Sequence, residues 1–259
     1  MNRMQASKTP YVTYRVADKI GVIEFFTPQH NSMPSAILAK LAEVIDEAGN
    51  DEKSRVLILQ TAGEKTFCAG ASFDELLLIK NEKEGKLFFS GFAKVINAMR
   101  KCPKFILGRI QGKAIGGGVG LAATCDYSFA TMDASIKLSE LAVGIGPFVV
   151  APAIISKIGK SATYELAIDA TNFRSAAWAK EKGLYTEIYK TADEMDEAIQ
   201  KMAFSLAASS YEAMREIKKA FWHGTEEWEQ TLFDRAAISG RLIVSEEAKS
   251  FLRAFKKWK

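Results

Sequence analysis

The chain has 259 residues, 48% of them apolar and 25% charged, with 35 basic against 31 acidic side chains and a formal net charge of +4. That composition excludes a disordered or fibrous protein and suits one large domain, alone or with a small appendage. The slight basic excess is spread along the chain, apart from the terminal KKWK, so it does not point to nucleic acid as a partner.

In chain order, YVTYRVADKIGVIEFF (11–26) contains two β-rich runs around ADKI and predicts a hairpin. Ile37, Leu38, Leu41, Val44 and Ile45 then recur at helical spacing, and that helix is expected to stop near Gly49 and Asn50. RVLILQ (55–60) is almost wholly apolar, the pattern of a parallel strand covered on both faces. TAGEKTFCAGASFDEL reads as a glycine-containing loop beyond a strand end, where α/β folds hold their ligands. EGKLFFSGFAKVINAMRKCPK predicts a helix stopped by Pro103, and FILGRIQG a further apolar strand.

GGGVGLAATCD turns helical, YSFAT returns to strand, and ASIKLSELAVGIGP combines a short strand with a glycine-proline turn. From about Phe148 the chain reads as helices, broken at Ile158-Gly159, across Asp169 to Asn172, at His223-Gly224 and near Ser245. LYTEIYK is a strand-like interruption, and Thr191 with Glu194 forms a capping-box pattern. The class is α/β. Cys68, Cys102 and Cys125 lie far apart without a C-x-x-C spacing, which predicts free thiols in a reducing compartment. The opening residues contain no apolar signal region and no stretch of about 18 apolar residues follows, so the expectation is a cytoplasmic protein with no membrane partner.

No dinucleotide or phosphate-loop glycine pattern occurs, and no G-x-S-x-G elbow. The two histidines, His30 and His223, are far apart, so no metal site is expected. What remains is a pair of glycine loops behind two apolar strands, and Glu140 in the apolar-to-small stretch LSELAVGIG. Two backbone N–H groups from separate loops can converge on an oxygen that gains negative charge, and a carboxyl group in apolar surroundings can move a proton near neutral pH. On the residues alone, ordinary turns and a solvated Glu140 fit equally well.

The motifs in order do more. KTFCAGASFDEL (65–76), IQGKAIGGGVGLAATCDYSFAT (110–131), LSELAVGIGP (138–147) and the helical IGKSATYELAIDATNFRSAAWAKEKGLYTEI resemble the crotonase family, also called the enoyl-CoA hydratase/isomerase family. The closing VSEEAKSFLRAFKKW is similar to the family's C-terminal helix. The resemblance implies a crotonase-like spiral of ββα units with a C-terminal helical region. Residues 1–195 would form the core with the acyl-CoA site, and 196–259 a trimerisation region. It implies a coenzyme A thioester as substrate, no prosthetic group, and a homotrimer or a hexamer built as a dimer of trimers.

Residue by residue, the resemblance puts the N–H groups of Ala71 and Gly117 on the thioester oxygen and makes Glu140 the proton-transferring group. Coenzyme A contacts would come from the Lys65–Ser72 loop, through Lys65, Phe67, Ala69, Gly70 and Ser72, and from Gly116. Asn31, Ser32 and Met33 are further candidates, as are Lys218, Lys219 or the C-terminal lysines from a neighbouring subunit. Gly116 and Gly118 would permit the turn and the close approach of ligand. Tyr164 and Phe221 could shape the acyl pocket or belong to the core. Asp126 is expected to be structural and Cys125 a small buried hydrophobe. Leu232, Phe233, Ile238, Leu242 and Ile243 could face another subunit or pack onto their own core.

The family's hydratases hold water between two glutamates. Gly120 stands here at the first position and Glu140 at the second. Hydration of a 2-enoyl-CoA leads by a narrow margin, on the similarity of the Glu140–Ala153 stretch to the methylglutaconyl-CoA hydratase branch. The alternative is a double-bond isomerase with Glu140 as single shuttle. A non-catalytic acyl-CoA- or RNA-binding homologue is the reading from another class.

Overall fold

A computed structural model describes residues 9–256, so the terminal KKWK lysines lie at or beyond its limit. Strands β1 (Tyr11–Ala17) and β2 (Ile20–Phe26) pair antiparallel around a two-residue turn. Asp18 and Lys19 both take positive φ there, 53° and 63°, the handedness that matches the twist of the flanking strands. The chain continues through α1 (Ser35–Asn50) and then winds as a spiral.

Each turn of the spiral leaves one strand in a large sheet and one in a small sheet. The first turn contributes β3 (Val56–Thr61) and β4 (Thr66–Cys68), followed by α2 (Phe73–Leu76) and α3 (Glu82–Lys101). The second contributes β5 (Ile106–Ile110), β6 (Lys113–Ile115) and α4 (Gly117–Thr124). The third contributes β7 (Tyr127–Thr131) and β8 (Ile136–Lys137), a short turn at Leu141–Val143, and α5 (Ala151–Ile168). After α6 (Ala176–Glu181), β9 (Glu187–Tyr189) completes the large sheet, ordered β1-β2-β3-β5-β7-β9. The small sheet is ordered β4-β6-β8, and every pairing of named strands beyond the hairpin is parallel.

The apolar run of β3 is covered on both faces, as its composition predicts. Leu57 and Leu59 enter the main core with α1, α3 and α4, while Val56 and Ile58 meet Met195, Ile199, Ala203 and Ala207 of α7 (Ala192–Ala208). The Thr191–Glu194 capping box forms at the start of α7, and the expected break in α5 falls at Gly159, with φ 75°. Sequence reading differs from the structure mainly at the small sheet. The loop read from TAGEKTFCAGASFDEL contains β4 and α2, and β6 was not anticipated.

The C-terminal helices are α8 (Tyr211–Phe221), α9 (Trp228–Ile243) and α10 (Glu246–Lys256). Helix α9 lies directly on α3, where a Cβ added to Gly85 would come within 2.6 Å of the Gly240 Cα. Leu232 and Ile243 are buried there, with Phe233 and Leu242 packed against the same core. Beside α8, the ammonium of Lys218 donates to the carbonyls of Met99 and Lys104 and to Asp126 Oδ2. Lys218 is therefore no coenzyme A contact: it is buried and fully engaged in holding loops together. Asp126 has the structural role expected of it, accepting also from the Ile106 N–H and the Trp222 indole. Trp222→Phe, which removes one donor from this half-buried carboxylate, is expected to cost about 2 kcal/mol in urea unfolding. Tyr164 and Phe221 belong neither to the core nor to the cavity described below: both side chains stand exposed, and Phe221 borders a smaller pocket beside α8.

Candidate functional site

The small sheet and the helices beside it border an open cavity of about 1440 Å³. Two glycine turns meet in its wall. In the first, Met33 donates to the Gly70 carbonyl at 2.7 Å and Ser72 donates to the Met33 carbonyl at 3.0 Å, a parallel bridge centred on Ala71. In such a bridge the central residue's own N–H points to the opposite side. In the second, Gly117 opens α4, where the first amides of a helix have no partner within it. Among the described residues neither the Ala71 nor the Gly117 N–H meets a protein acceptor, and both residues line the cavity.

Glycine brings the two turns together. Gly70 has φ 85°, and a Cβ there would lie 2.9 Å from the Ile115 carbonyl oxygen and 3.5 Å from the Gly117 nitrogen. Gly118 is glycine for a different reason from the one expected. A Cβ at this position would fall 2.4 Å from the Cys68 carbonyl oxygen, so the close approach is to the protein's own first loop and not to ligand.

Glu140 sits across from these turns, its Oε1 2.9 Å from where a Cβ on Gly116 would be. Its Oε2 is buried without a hydrogen-bond partner. Burial pushes the carboxyl pKa from its ordinary 4.5 up to about 7, against a smaller opposing contribution from its own backbone N–H. Two unpaired N–H groups can receive an oxygen that gains negative charge, and the adjacent carboxyl group can exchange protons near neutral pH.

Of the other candidate residues, Lys65, Ala69, Gly70, Gly116 and Ser32 line the cavity. Phe67 does not: its ring is buried against Phe25, with centroids 6.0 Å apart. Ser72 instead caps α2, accepting from the Glu75 N–H, and Asn31 and Met33 are buried scaffold around the same loop. Cys125 is buried, as expected, and burial raises its thiol pKa to about 12. Cys68 is raised to about 12 for the same reason, and the three cysteines are free thiols. Among the described residues no group of three or more His, Cys, Asp or Glu is placed to hold a metal ion, and no helix is long and apolar enough to cross a membrane.

Several contributors to the site escaped sequence reading because distant segments supply them. Phe92 of α3 lies over Gly117, where a Cβ would meet its ring at 2.2 Å. Leu76, Phe89, Val143, Val149 and Val150 extend the apolar wall, and Ser239 of α9 adds a hydroxyl to it. Val150 also fills the space beside Gly120, where a Cβ would lie 2.5 Å from Cγ1. The absent first glutamate is thus matched by an apolar side chain packed against its position.

A sequence profile described as enoyl-CoA hydratase/isomerase matches residues 15–256. The chain belongs to the enoyl-CoA hydratase/isomerase family. Members of this family are enzymes acting on coenzyme A thioesters without a prosthetic group. The chain is similar to a probable enoyl-CoA hydratase of Bacillus subtilis, 27% identical over 94% of this chain and 95% of that protein. It is 30% identical to the mitochondrial methylglutaconyl-CoA hydratase of Homo sapiens, over 76% of this chain and 58% of that one. In fold it matches the crystal structure of an enoyl-CoA hydratase from Bacillus halodurans with a TM-score of 0.88, at 22% identity over 94% of this chain and 99% of that one. The spiral of strands and helices is therefore the crotonase fold.

Proposed function

We propose that the protein hydrates a 2-enoyl-CoA thioester, with Glu140 as the group that handles both protons. The observation that carries this reading is the buried Glu140 carboxyl, its Oε2 without a hydrogen-bond partner, beside the two free N–H groups of Ala71 and Gly117. The thioester oxygen is received by those two N–H groups, assisted by the start of α4. Ionised Glu140 takes a proton from water as the water oxygen bonds to the β-carbon, and the displaced electron pair moves onto the thioester oxygen. Protonated Glu140 then returns a proton to the α-carbon, the thioester carbonyl re-forms, and a 3-hydroxyacyl thioester leaves. The Lys65–Gly70 loop and Ser32 provide contacts for coenzyme A.

The packing of Val150 on Gly120 favours a second reading, double-bond migration. In that case Glu140 removes a proton at one carbon and returns it two carbons away, with no water added. Incubation with crotonyl-CoA and a 3-enoyl-CoA in deuterated water, followed by mass spectrometry, separates the two. The expected result is addition of deuterated water to crotonyl-CoA; migration of the 3-enoyl bond without water addition contradicts hydration.

The proposal includes assembly as a homotrimer or a dimer of trimers, with residues 196–259 as a helical region contributing to it. Exposed Tyr164, Ile168, Leu141 and Met132 supply further apolar surface for such contacts. Light scattering is expected to give a mass of three or six chains, and a monomer would count against it.

A further inference from the structure

One buried hydroxyl in the cavity wall has no partner. Among the described residues, the other buried serines and threonines all hydrogen-bond to protein groups. Those inside helices, Ser90, Thr124 and Thr163, donate to the carbonyl one turn back at 2.6, 2.7 and 2.8 Å. Ser239 of α9 does not. Its side chain is 1% exposed and lines the cavity, yet it hydrogen-bonds neither the Arg235 carbonyl nor any other described group. Packing alone does not call for a hydroxyl there, since Ala236 fills the same buried face of α9.

Its place relative to the reacting groups follows from the helix pairing. Helices α3 and α9 run antiparallel, with Gly85 against Gly240 and the Asn97 amide donating to the Trp228 carbonyl. Ser239, next to Gly240, therefore stands level with the first turn of α3. Phe92, whose ring covers Gly117, is two turns further along, about 10 Å by helix rise. Side chains lean toward a helix's N-terminus, which shortens that span, and Phe89 lines the cavity within it. One turn before Ser239, Arg235 Nη1 donates to the Phe148 carbonyl, which sets the Pro147–Val150 wall alongside. The loop proposed for coenzyme A lies elsewhere. The Lys113 N–H donates to the Lys65 carbonyl at the start of β6, whereas Gly117 comes after the end of that strand.

We infer that Ser239 is a specificity-determining residue whose hydroxyl donates to a neutral oxygen, a carbonyl or a hydroxyl, borne by the acyl chain a few carbons beyond the thioester. This inference rests on the thioester reading above. Before substrate enters, water in the open cavity satisfies the hydroxyl. A plain hydrocarbon chain strips that water away and leaves the donor unpaired, whereas a chain with an oxygen at this level replaces the lost bond. The lining side chains nearest the path from Gly117, Phe89, Phe92, Val149 and Val150, are apolar, so they favour a neutral oxygen over a charged group.

The test is calorimetric binding of three saturated thioesters, 4-oxopentanoyl-, 5-oxohexanoyl- and 6-oxoheptanoyl-CoA. Each is paired with the thioester in which a methyl group replaces the oxo oxygen. Wild type is compared with Ser239→Ala, which deletes a single oxygen atom. In at least one pair the variant is expected to lose about fivefold or more in affinity for the oxo member and less than about twofold for its methyl partner. Retained binding of the methyl partner certifies that the variant is folded. Equal loss for both members of every pair would make Ser239 a structural residue and overturn the inference, and unchanged affinity throughout would overturn it too. A wild-type chain that binds none of the six contradicts the thioester reading itself, whereas binding without an oxo-selective loss removes this inference alone.

Discussion

Glu140→Gln is expected to lower kcat on an enoyl-CoA by about 10³-fold, within the range of general acid–base catalysis. Glutamine keeps the shape of the side chain but can neither take the proton of water nor deliver one to carbon. KM should change little, because the N–H groups of Ala71 and Gly117 are backbone and remain in place. The carboxyl pKa of about 7 adds a pH signature. The ionised form is the base, so wild-type kcat/KM rises with pH up to about 7 and then levels, and the residual activity of the variant lacks that limb.

Stability is expected to move the other way. A carboxyl with its folded pKa raised from 4.5 to about 7 binds more protons in the folded state than in the unfolded chain across that window. Wild-type stability therefore falls as pH rises through the window, by up to about 3 kcal/mol, and the full penalty persists above it. Glutamine carries no such penalty. Its stability relative to wild type should grow between pH 4.5 and about 7 and stay constant beyond, as read from urea midpoints.

Gly118→Ala is expected to damage catalysis without touching any cavity-lining side chain. The added methyl would stand 2.4 Å from the Cys68 carbonyl oxygen and 2.9 Å from its Cβ. Backbone cannot rotate out of the way as a side-chain tip can, so the Cys68–Ala71 turn must shift relative to α4. Those two segments each carry one of the converging N–H groups, and a displacement approaching 1 Å costs about 10²-fold in rate. Overpacking adds a stability loss of about 1–3 kcal/mol. Wild-type kcat/KM in a folded Gly118→Ala variant would show that the spacing of the two turns does not govern the chemistry.

The long, periodic elements were legible in the sequence. The helix at Ile37–Ile45, the doubly covered strand RVLILQ, the break at Gly159 and the Thr191–Glu194 cap all have local causes and fall where those causes put them. The small sheet was not legible, because strands of three, three and two residues are too short for an alternating pattern to register. They persist through pairing with segments some 20 or more residues away. The hairpin turn lacks the glycine that normally marks positive φ, with Asp18 and Lys19 there instead.

At the site, Ala71, Gly117 and Glu140 were singled out through motif resemblance, and all three line the same cavity. Lys218 misled because a charge on an amphipathic helix reads as solvated or ligand-facing. Its actual partner, Asp126, lies 92 residues earlier and is visible only after folding. Gly120 became informative in the same way, once Val150 was seen to pack against it.

The most direct test of the account is exchange of the α-proton of a saturated acyl-CoA in deuterated water, followed by NMR, in wild type and in Glu140→Gln. The reaction needs neither water addition nor a double bond, so it isolates enolate formation at the paired N–H groups and proton transfer by the carboxyl. Wild type should exchange the α-proton at a rate that rises with pH to about 7, and the variant should fall to about the uncatalysed rate. Equal exchange by both proteins would contradict the assignment of proton transfer to Glu140.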